Sequence, residues 1–226
     1  MPGDAVVTSH SPRRGRPPQT PEQADEVRAK IVLAAAAVFT EHGSRGLSVA
    51  RIIDRAGLSR PTFYRYFGNA EEPLHALLTA SNEGLVGGIR AALAGSDEPV
   101  RLGIGLIDAY LDWARGHGPM LRPVFAELHD PASPVSAYRE QAFDDIRALV
   151  RAKFAELGRP APATLDLDTA LQVCEFVVYR LSAADPAPAE LAAARLTMIR
   201  SVLVTLGRRE DVELALTIPG IFEGTG

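Results

Sequence analysis

An all-α fold is what the sequence predicts, and three observations carry the prediction. Apolar residues recur at helical spacing along most of the chain, no segment alternates convincingly with period 2, and clusters of Gly, Pro and Asp punctuate the runs. The 226 residues suffice for one or two domains with a sizeable core. At 46% hydrophobic and 23% charged, the composition excludes both wholesale disorder and a collagenous chain. The single cysteine, Cys174, excludes a disulfide framework and any zinc site of several thiolates. No apolar run reaches the length of a membrane span, and residues 1–18 lack the apolar stretch of a signal peptide, so a cytoplasmic location is expected.

Charge divides the chain. Residues 1–68 hold 10 Lys and Arg against 6 Asp and Glu, while residues 69–226 hold 14 against 22, giving +4 and −8 within a net −4. A basic head on an acidic body is the layout of a protein that meets phosphate at one end.

In order along the chain, residues 1–21 carry four prolines by position 18 and read as a disordered basic arm. From Glu22, the spacing of Ile31, Ala34, Ala35, Val38 and Phe39 predicts a helix of about five turns that Gly43 stops. Ser48 caps a short helix with Val49, Ile52, Ile53 and Ala56 on one face, and Gly57 supplies the following turn. Ser59 caps a third helix of seven residues, with Pro61 in its first turn and Phe63 and Phe67 sharing a face. Asn69 and Glu72 form a further cap in capping-box spacing, with Pro73 in the first turn. Short helices joined by tight turns make a helix-turn-helix unit over residues 22–68. Residues 69–226 then form a helical body, with runs at 70–94, 98–116, 119–128, 136–157, 167–183 and 187–206.

With Phe63 and Phe67 inward, Arg60, Thr62, Tyr64, Arg65 and Tyr66 occupy the remaining arc of the third helix. Such a helix fits the major groove, where Arg60 or Arg65 can fork onto guanine and Pro61 and the Thr62 methyl can meet thymine methyls. Tyrosine hydroxyls and Thr62 can donate to phosphates. Ser48 aims the preceding helix dipole at a phosphate, with Arg45 and Arg51 beside it. The arm residues Arg13, Arg14 and Arg16 suit a narrow minor groove. The competing readings are a solvated helix surface and a solubilising tail.

Residues 34–77, AAAAVFTEHGSRGLSVARIIDRAGLSRPTFYRYFGNAEEPLHAL, closely resemble the TetR family of bacterial transcriptional regulators. Phe39, Gly43, Ser48, Ile52, Ala56, Gly57, Ser59, Thr62, Tyr64, Tyr66 and Phe67 fall where the family places such residues. The resemblance implies phosphate contacts at Tyr64 and Tyr66 and base-facing roles for Arg60, Pro61, Thr62 and Arg65, with Ser59 and Asn69 as caps of the DNA-facing unit. It also implies a lysine just after the third cap, where this chain has Ala70; the backbone N–H groups beyond Asn69 stay available to a phosphate.

By the same resemblance the body dimerises and holds a small-molecule pocket. Residues 167–206 carry apolar side chains on more than one face: Leu171, Val173, Phe176, Val177 and Leu181, then Leu191, Leu196, Ile199, Val202, Leu203 and Leu206. That excess suits a two-fold four-helix interface of a homodimer. Pocket candidates are Tyr110, Trp113, Met120, Phe125, Tyr138, Phe143, Cys174, Phe176 and Tyr179, aromatic and soft side chains of the kind that line a rather apolar cavity. Each is equally a core residue. Gly84, Gly87 and Gly88 near the middle of the 70–94 run are candidates for a bend.

No catalytic motif, cofactor fingerprint or metal spacing is present: His10, His42, His75, His117 and His129 lack ligand spacing, and Cys174 sits in an apolar stretch. The expectation is therefore a non-enzymatic regulator, most simply a repressor that leaves double-stranded operator DNA when a small effector binds. The alternative is a helical small-molecule-binding or interaction protein whose head is scaffold.

Overall fold

In the computed structural model, which describes residues 20–182 and 186–222, ten α-helices and two short 3-10 turns account for the secondary structure. The arm residues Arg13, Arg14 and Arg16 lie outside the described residues.

The head is built from three helices: α1 (Pro21–His42), α2 (Val49–Ala56) and α3 (Arg60–Tyr64). Thr20 starts α1 with a reciprocal cap, accepting from the Gln23 N–H while the Gln23 side chain accepts from its own. Ser48 accepts from the Arg51 N–H to cap α2, and Gly57 ends it in the left-handed region at φ 60°, where glycine carries no Cβ penalty. Ser59 caps α3 through the Thr62 N–H. Ile31, Ala34, Ala35 and Val38 of α1 close on Ile52, Ala56, Phe63 and Phe67 as one buried cluster.

The third helix is shorter than its sequence suggests: five residues rather than seven. Its end tightens, with the Arg65 N–H donating to Thr62 and the Tyr66 N–H to Phe63, three residues back, so that Phe67 can turn into the core.

The body comprises α4 (Glu71–Ala94), α5 (Pro99–His117), α6 (Leu121–Glu127), α7 (Pro134–Glu156), α8 (Thr164–Ser182), α9 (Pro188–Leu206) and α10 (Arg209–Leu216). Asn69 Oδ1 accepts from the N–H groups of Glu71 and Glu72, but Ala70 directly precedes α4 and the Glu72 carboxylate accepts from the Gly68 N–H rather than that of Asn69, so the side-chain cap forms one residue earlier and without the reciprocal half of the expected box. Helix α4 packs on α1, α5 and α7; α9 packs on α5 and α8. The last helix, α10, escapes the sequence reading because its segment, REDVELAL, is short and polar; it buries Asp211 and Ala215.

Between head and body lies a third buried cluster: Phe39 of α1, Leu74 and Leu78 of α4, Leu128 after α6, and Val135 of α7. Helix α4 therefore contributes to the joint as well as to the body core. Among the described residues no helix is long and apolar enough to cross a membrane.

Candidate nucleic-acid interface and effector cavity

The buried faces of Phe63 and Phe67 fix what α3 shows to solvent. Arg60, Pro61, Tyr64 and Arg65 are exposed, and Tyr64 packs edge-on against Phe63 at 5.5 Å between ring centroids. Arg60 and Arg65 have no hydrogen-bond or ion-pair partner among the described residues, so their guanidinium groups keep their full donor capacity. Thr62 is half-buried and shares a hydrogen bond with the Ser59 hydroxyl at 2.8 Å, which commits both hydroxyls locally. Tyr66 is half-buried against the head core, a less accessible place than the neighbouring Tyr64.

The helix α2 end is arranged differently from a bare cationic rim. Ser48 is used as the cap, and the Arg51 guanidinium donates to the Gly46 carbonyl. Arg45 pairs with Asp130 of the body at 3.1 Å, although its side chain is 85% exposed. It is thus both a candidate phosphate contact and one half of a head–body pair.

A second link lies beside it. Glu127, at the end of α6, accepts from the Ser44 N–H at 2.8 Å through one carboxylate oxygen and from the Ser133 hydroxyl at 2.6 Å through the other. Gly43, at φ 66°, makes room: a Cβ there would sit 2.7 Å from that carboxylate. The turn that ends α1 is consequently held from the body side.

Helix α6 also borders a cavity, through Leu121, Val124 and Phe125. Six of the nine sequence candidates line it together: Tyr110, Trp113, Met120, Phe125, Tyr138 and Phe143. Its volume is about 550 Å³ including the open space at its mouth. Cys174 is buried on a neighbouring cavity instead. Phe176 is 64% exposed on the outer face of α8, and Tyr179 is 44% exposed, reaching inward only to meet the Phe125 ring at 6.1 Å. Neither lines the first cavity, because α8 presents Cys174, Glu175 and Val178 inward, and Phe176 and Tyr179 fall on the remaining arc.

The sequence reading missed the charged element of this cavity. Arg139 and Glu175, each with 8% of the side chain exposed, form a bidentate pair at 2.7 and 2.9 Å across α7 and α8. The Arg139 guanidinium also lies 4.3 Å from the Phe143 ring centre. A glutamate inside the apolar run CEFVV was the signal available for it. Burial opposes the Arg139 charge, but the hydrogen bond and charge of Glu175 outweigh it, and its pKa rises. Burial also pushes the Tyr110 phenol well up and, with the Glu175 charge, pushes the Cys174 thiol up to about 12. Ser81 accepts from the Trp113 indole N–H through its carbonyl at 3.0 Å, and Asn82 donates to the Tyr138 carbonyl at 2.7 Å.

Helices α8 and α9 also leave apolar side chains outside. Leu165, Phe176 and Val204 are strongly exposed and Leu191 moderately so, whereas Ile199, Val202 and Leu203 face the core of the subunit. Among the described residues no three His, Cys, Asp or Glu side chains come together as a metal site.

Residues 31–77 match the family model of bacterial regulatory proteins, tetR family. A curated relative, the HTH-type transcriptional activator FasR of Mycolicibacterium smegmatis, is 30% identical over 101 residues, covering 45% of this chain and 46% of that one. The chain thus spans less than half the length of that relative. The structure of the fatty acid degradation regulator FadR from Bacillus halodurans superposes with a TM-score of 0.64 at 21% identity, over 81% of this chain and 96% of that one. SmeT in complex with triclosan gives a TM-score of 0.58 at 19% identity, over 89% of this chain and 96% of the other. Both structures share the fold, an N-terminal helix-turn-helix unit followed by a helical body.

Proposed function

We propose that the chain is a member of the TetR family of bacterial regulatory proteins, whose family model matches residues 31–77, and that it is a homodimeric, sequence-specific DNA-binding repressor released from its operator by a small, rather apolar effector. The observation that carries the DNA-binding part is the outer face of α3, where Arg60 and Arg65 stand exposed on a helix anchored by Phe63. Two such helices, related by a two-fold axis, read half-sites about one helical turn of DNA apart or slightly more. Tyr64, Asn69, Ser48 and Arg51 are the phosphate-side groups in this reading, with Ala70 contributing no charge. We divide the chain accordingly into the arm, a head over residues 22–68 and an effector-binding and dimerising body beyond.

The exposed apolar side chains of α8 and α9 support pairing of two copies there. The cavity beside α6 supports effector binding, as does the SmeT complex by its fold likeness. Coupling follows from α6 reaching both the cavity and the head. Phe125 and Val124 line the cavity, while Glu127 holds the turn at Ser44. An effector that displaces α6 shifts that hold, and a tenfold loss of DNA affinity requires only about 1.4 kcal/mol of coupling.

The test is fluorescence anisotropy of the full chain with duplex DNA from upstream of its own coding sequence. Binding at nanomolar to sub-micromolar protein, steeply weakened by salt and competed poorly by unrelated duplex, supports the reading. Binding no tighter than to unrelated duplex favours instead a helical small-molecule-binding protein whose head is scaffold. Sedimentation at micromolar concentration should give about twice the 24.2 kDa chain mass; a monomer would overturn the homodimer.

A further inference from the structure

Part of the head's positive charge is engaged inside the protein. Of the seven lysine and arginine side chains between residues 22 and 68, three have partners: Arg45 has Asp130, Arg51 the Gly46 carbonyl and Arg55 the Glu41 carboxylate. Arg28, Lys30, Arg60 and Arg65 have no hydrogen-bond or ion-pair partner among the described residues. Arg60 and Arg65 belong to the α3 end of the head, whereas Arg28 belongs to α1. Its guanidinium lies over the Phe67 ring, 4.6 Å from the centroid. A guanidinium resting on a ring face is held in position while the N–H donors at its edge stay open.

The surroundings place that edge on the flank of α3. Phe67 follows Arg65 by two residues, so the ring that Arg28 covers closes the C-terminal end of the outward-facing helix. Phe39, eleven residues further along α1, is anchored in the joint with the body, so Arg28 stands about 16 Å from that joint, toward the free end of the head. The carboxylates nearest in sequence do not claim it. Asp25, one turn back on α1, makes no ion pair with it, and Glu72 accepts from the Gly68 N–H at 2.7 Å and from the Asn69 side-chain amide at 3.3 Å. The start of α4, by contrast, suits a phosphate poorly. Ala70 brings no charge, Asn69 Oδ1 takes the N–H groups of Glu71 and Glu72, and those two residues are acids. These N–H groups, which the sequence leaves available to a phosphate, are committed within the protein.

We propose that Arg28 supplies the contact to a DNA backbone phosphate beyond the C-terminal end of α3, with the Phe67 ring as the platform that aims it. The proposal rests on the DNA-binding reading of the head and adds a residue to it, three positions before the segment that the family model matches. A phosphate contact fixes register and adds affinity on every sequence, while base preference stays with Arg60 and Arg65. Phe67 then links the packing of the head to the placing of a surface charge: the ring is 3% exposed, and the arginine over it is exposed. An Arg28 that only shielded the ring from water would not need its charge, and that difference is measurable.

The test is the salt dependence of binding by the full chain and its variants to duplex DNA from upstream of its own coding sequence. Arg28→Met keeps a flexible side chain on the ring and removes the charge, whereas Arg28→Lys keeps the charge. Losing one phosphate contact per chain lowers the slope of log affinity against log salt by about 0.9, or about 1.8 for a dimer. The advantage of the parent over Arg28→Met should therefore shrink about twelvefold between about 50 and about 200 mM salt. Arg28→Lys should recover most of the parental slope. Lys30→Met, at an exposed position about 200° around the helix from Arg28, should change the slope by less than about half as much. Binding-site selection with Arg28→Met should return the parental motif. A parental slope for Arg28→Met overturns the proposal even if affinity falls, because lost packing weakens binding without changing the number of ions released. An altered motif overturns it too, as does an equal change of slope in Lys30→Met, which would show head charge acting at a distance. If Arg28→Met melts early, Arg28→Gln gives the same slope readout. Weak, salt-insensitive binding by the parent is a separate failure: it removes the DNA-binding reading itself, and the proposal with it, before any variant is compared.

Discussion

The head and the body bury their apolar residues to different ends. In the head, eight aliphatic and aromatic side chains from the three helices and the turn after α3 close on one another around Phe63 and Phe67, and the polar groups, caps, exposed arginines and the Arg55–Glu41 pair among them, lie outside that cluster. In the body, a larger set of aliphatic side chains surrounds cavities, and buried ion pairs such as Arg139–Glu175 and Arg159–Asp211 span separate elements. A helix of five residues has no stability of its own and depends wholly on packing to hold its outer face in register. A cavity-bearing body instead has unfilled contacts that an occupant completes. The first is suited to presenting a fixed surface and the second to changing with occupancy.

The largest expected effects test that division directly. Phe63→Ala removes a fully buried ring and should destabilise the head by roughly 3–5 kcal/mol. Chemical denaturation should then show a low-midpoint transition with loss of DNA binding, while most helical circular dichroism persists to the parental midpoint. A single shifted transition would show head and body to be one cooperative unit. Arg139→Met leaves Glu175 buried without its partner and should cost a comparable ~3–5 kcal/mol, and adding Glu175→Leu should restore most of it. Failure of the second substitution to compensate would mean that the pair is needed by more than its own charges.

Next come the exposed arginines. Arg60→Ala and Arg65→Ala should each cost roughly 1–3 kcal/mol on the preferred site and relax base preference at one position, read by binding-site selection. Tyr64→Ala should weaken all sequences alike. Selection that returns the parental motif from both arginine variants would remove them from base readout. Neither substitution should move the melting temperature, in contrast to Phe63→Ala.

Cys174 gives a smaller effect confined to the body. Its folded pKa of about 12 lies above the ordinary thiol value of 9.0 because burial, and secondarily Glu175, disfavour the thiolate. The folded state therefore holds the proton longer. This contribution to stability is fully present below pH 9.0 and is lost as pH rises toward about 12, amounting to about 1.4 kcal/mol by a pH of about 10. Cys174→Ala should flatten that alkaline decline. Rapid alkylation of the folded parent at neutral pH would contradict the burial of the thiol.

The head was largely legible in the sequence because its signals are local: Ser48, Ser59 and Asn69 cap the residues immediately after them, and the Phe63–Phe67 spacing fixes one face. The shortened end of α3 was not, since it depends on Phe67 being drawn into a core assembled from distant residues. In the body, periodicity marks six helices but does not say which arc of α8 turns inward, so nothing in the sequence separates the exposed Phe176 and Tyr179 from the cavity-lining Tyr110 and Trp113. The Glu127–Ser44 contact joins residues 83 apart in the chain, and no local pattern announces it. Arg139 and Glu175 are likewise a pair made only by tertiary packing.

The smallest expected effect decides how the two regions communicate. Helix α4 enters the body from the joint as an unbroken helix, and an added Cβ at Gly84 or Gly87 meets nothing within 4 Å, while at Gly88 it meets the Ala109 methyl at an ordinary 3.8 Å. Packing therefore does not require these glycines, and the Gly87→Ala, Gly88→Ala double variant should be accommodated, gaining up to about 1–2 kcal/mol of helix propensity. If α4 bends there when the body is occupied, stiffening it should reduce effector-driven loss of DNA affinity by a fewfold, with effector affinity of the DNA-free protein unchanged. If the signal runs instead through α6, that variant should respond as the parent does. Glu127→Gln, which weakens the hold on the Ser44 N–H, should then be the one that loses the response. Measuring the change in DNA affinity on effector addition for both variants separates the lever from the latch. Equal losses in both would show that the head is steered by α4 and α6 together, through the Phe39–Leu74–Leu128 cluster that joins them.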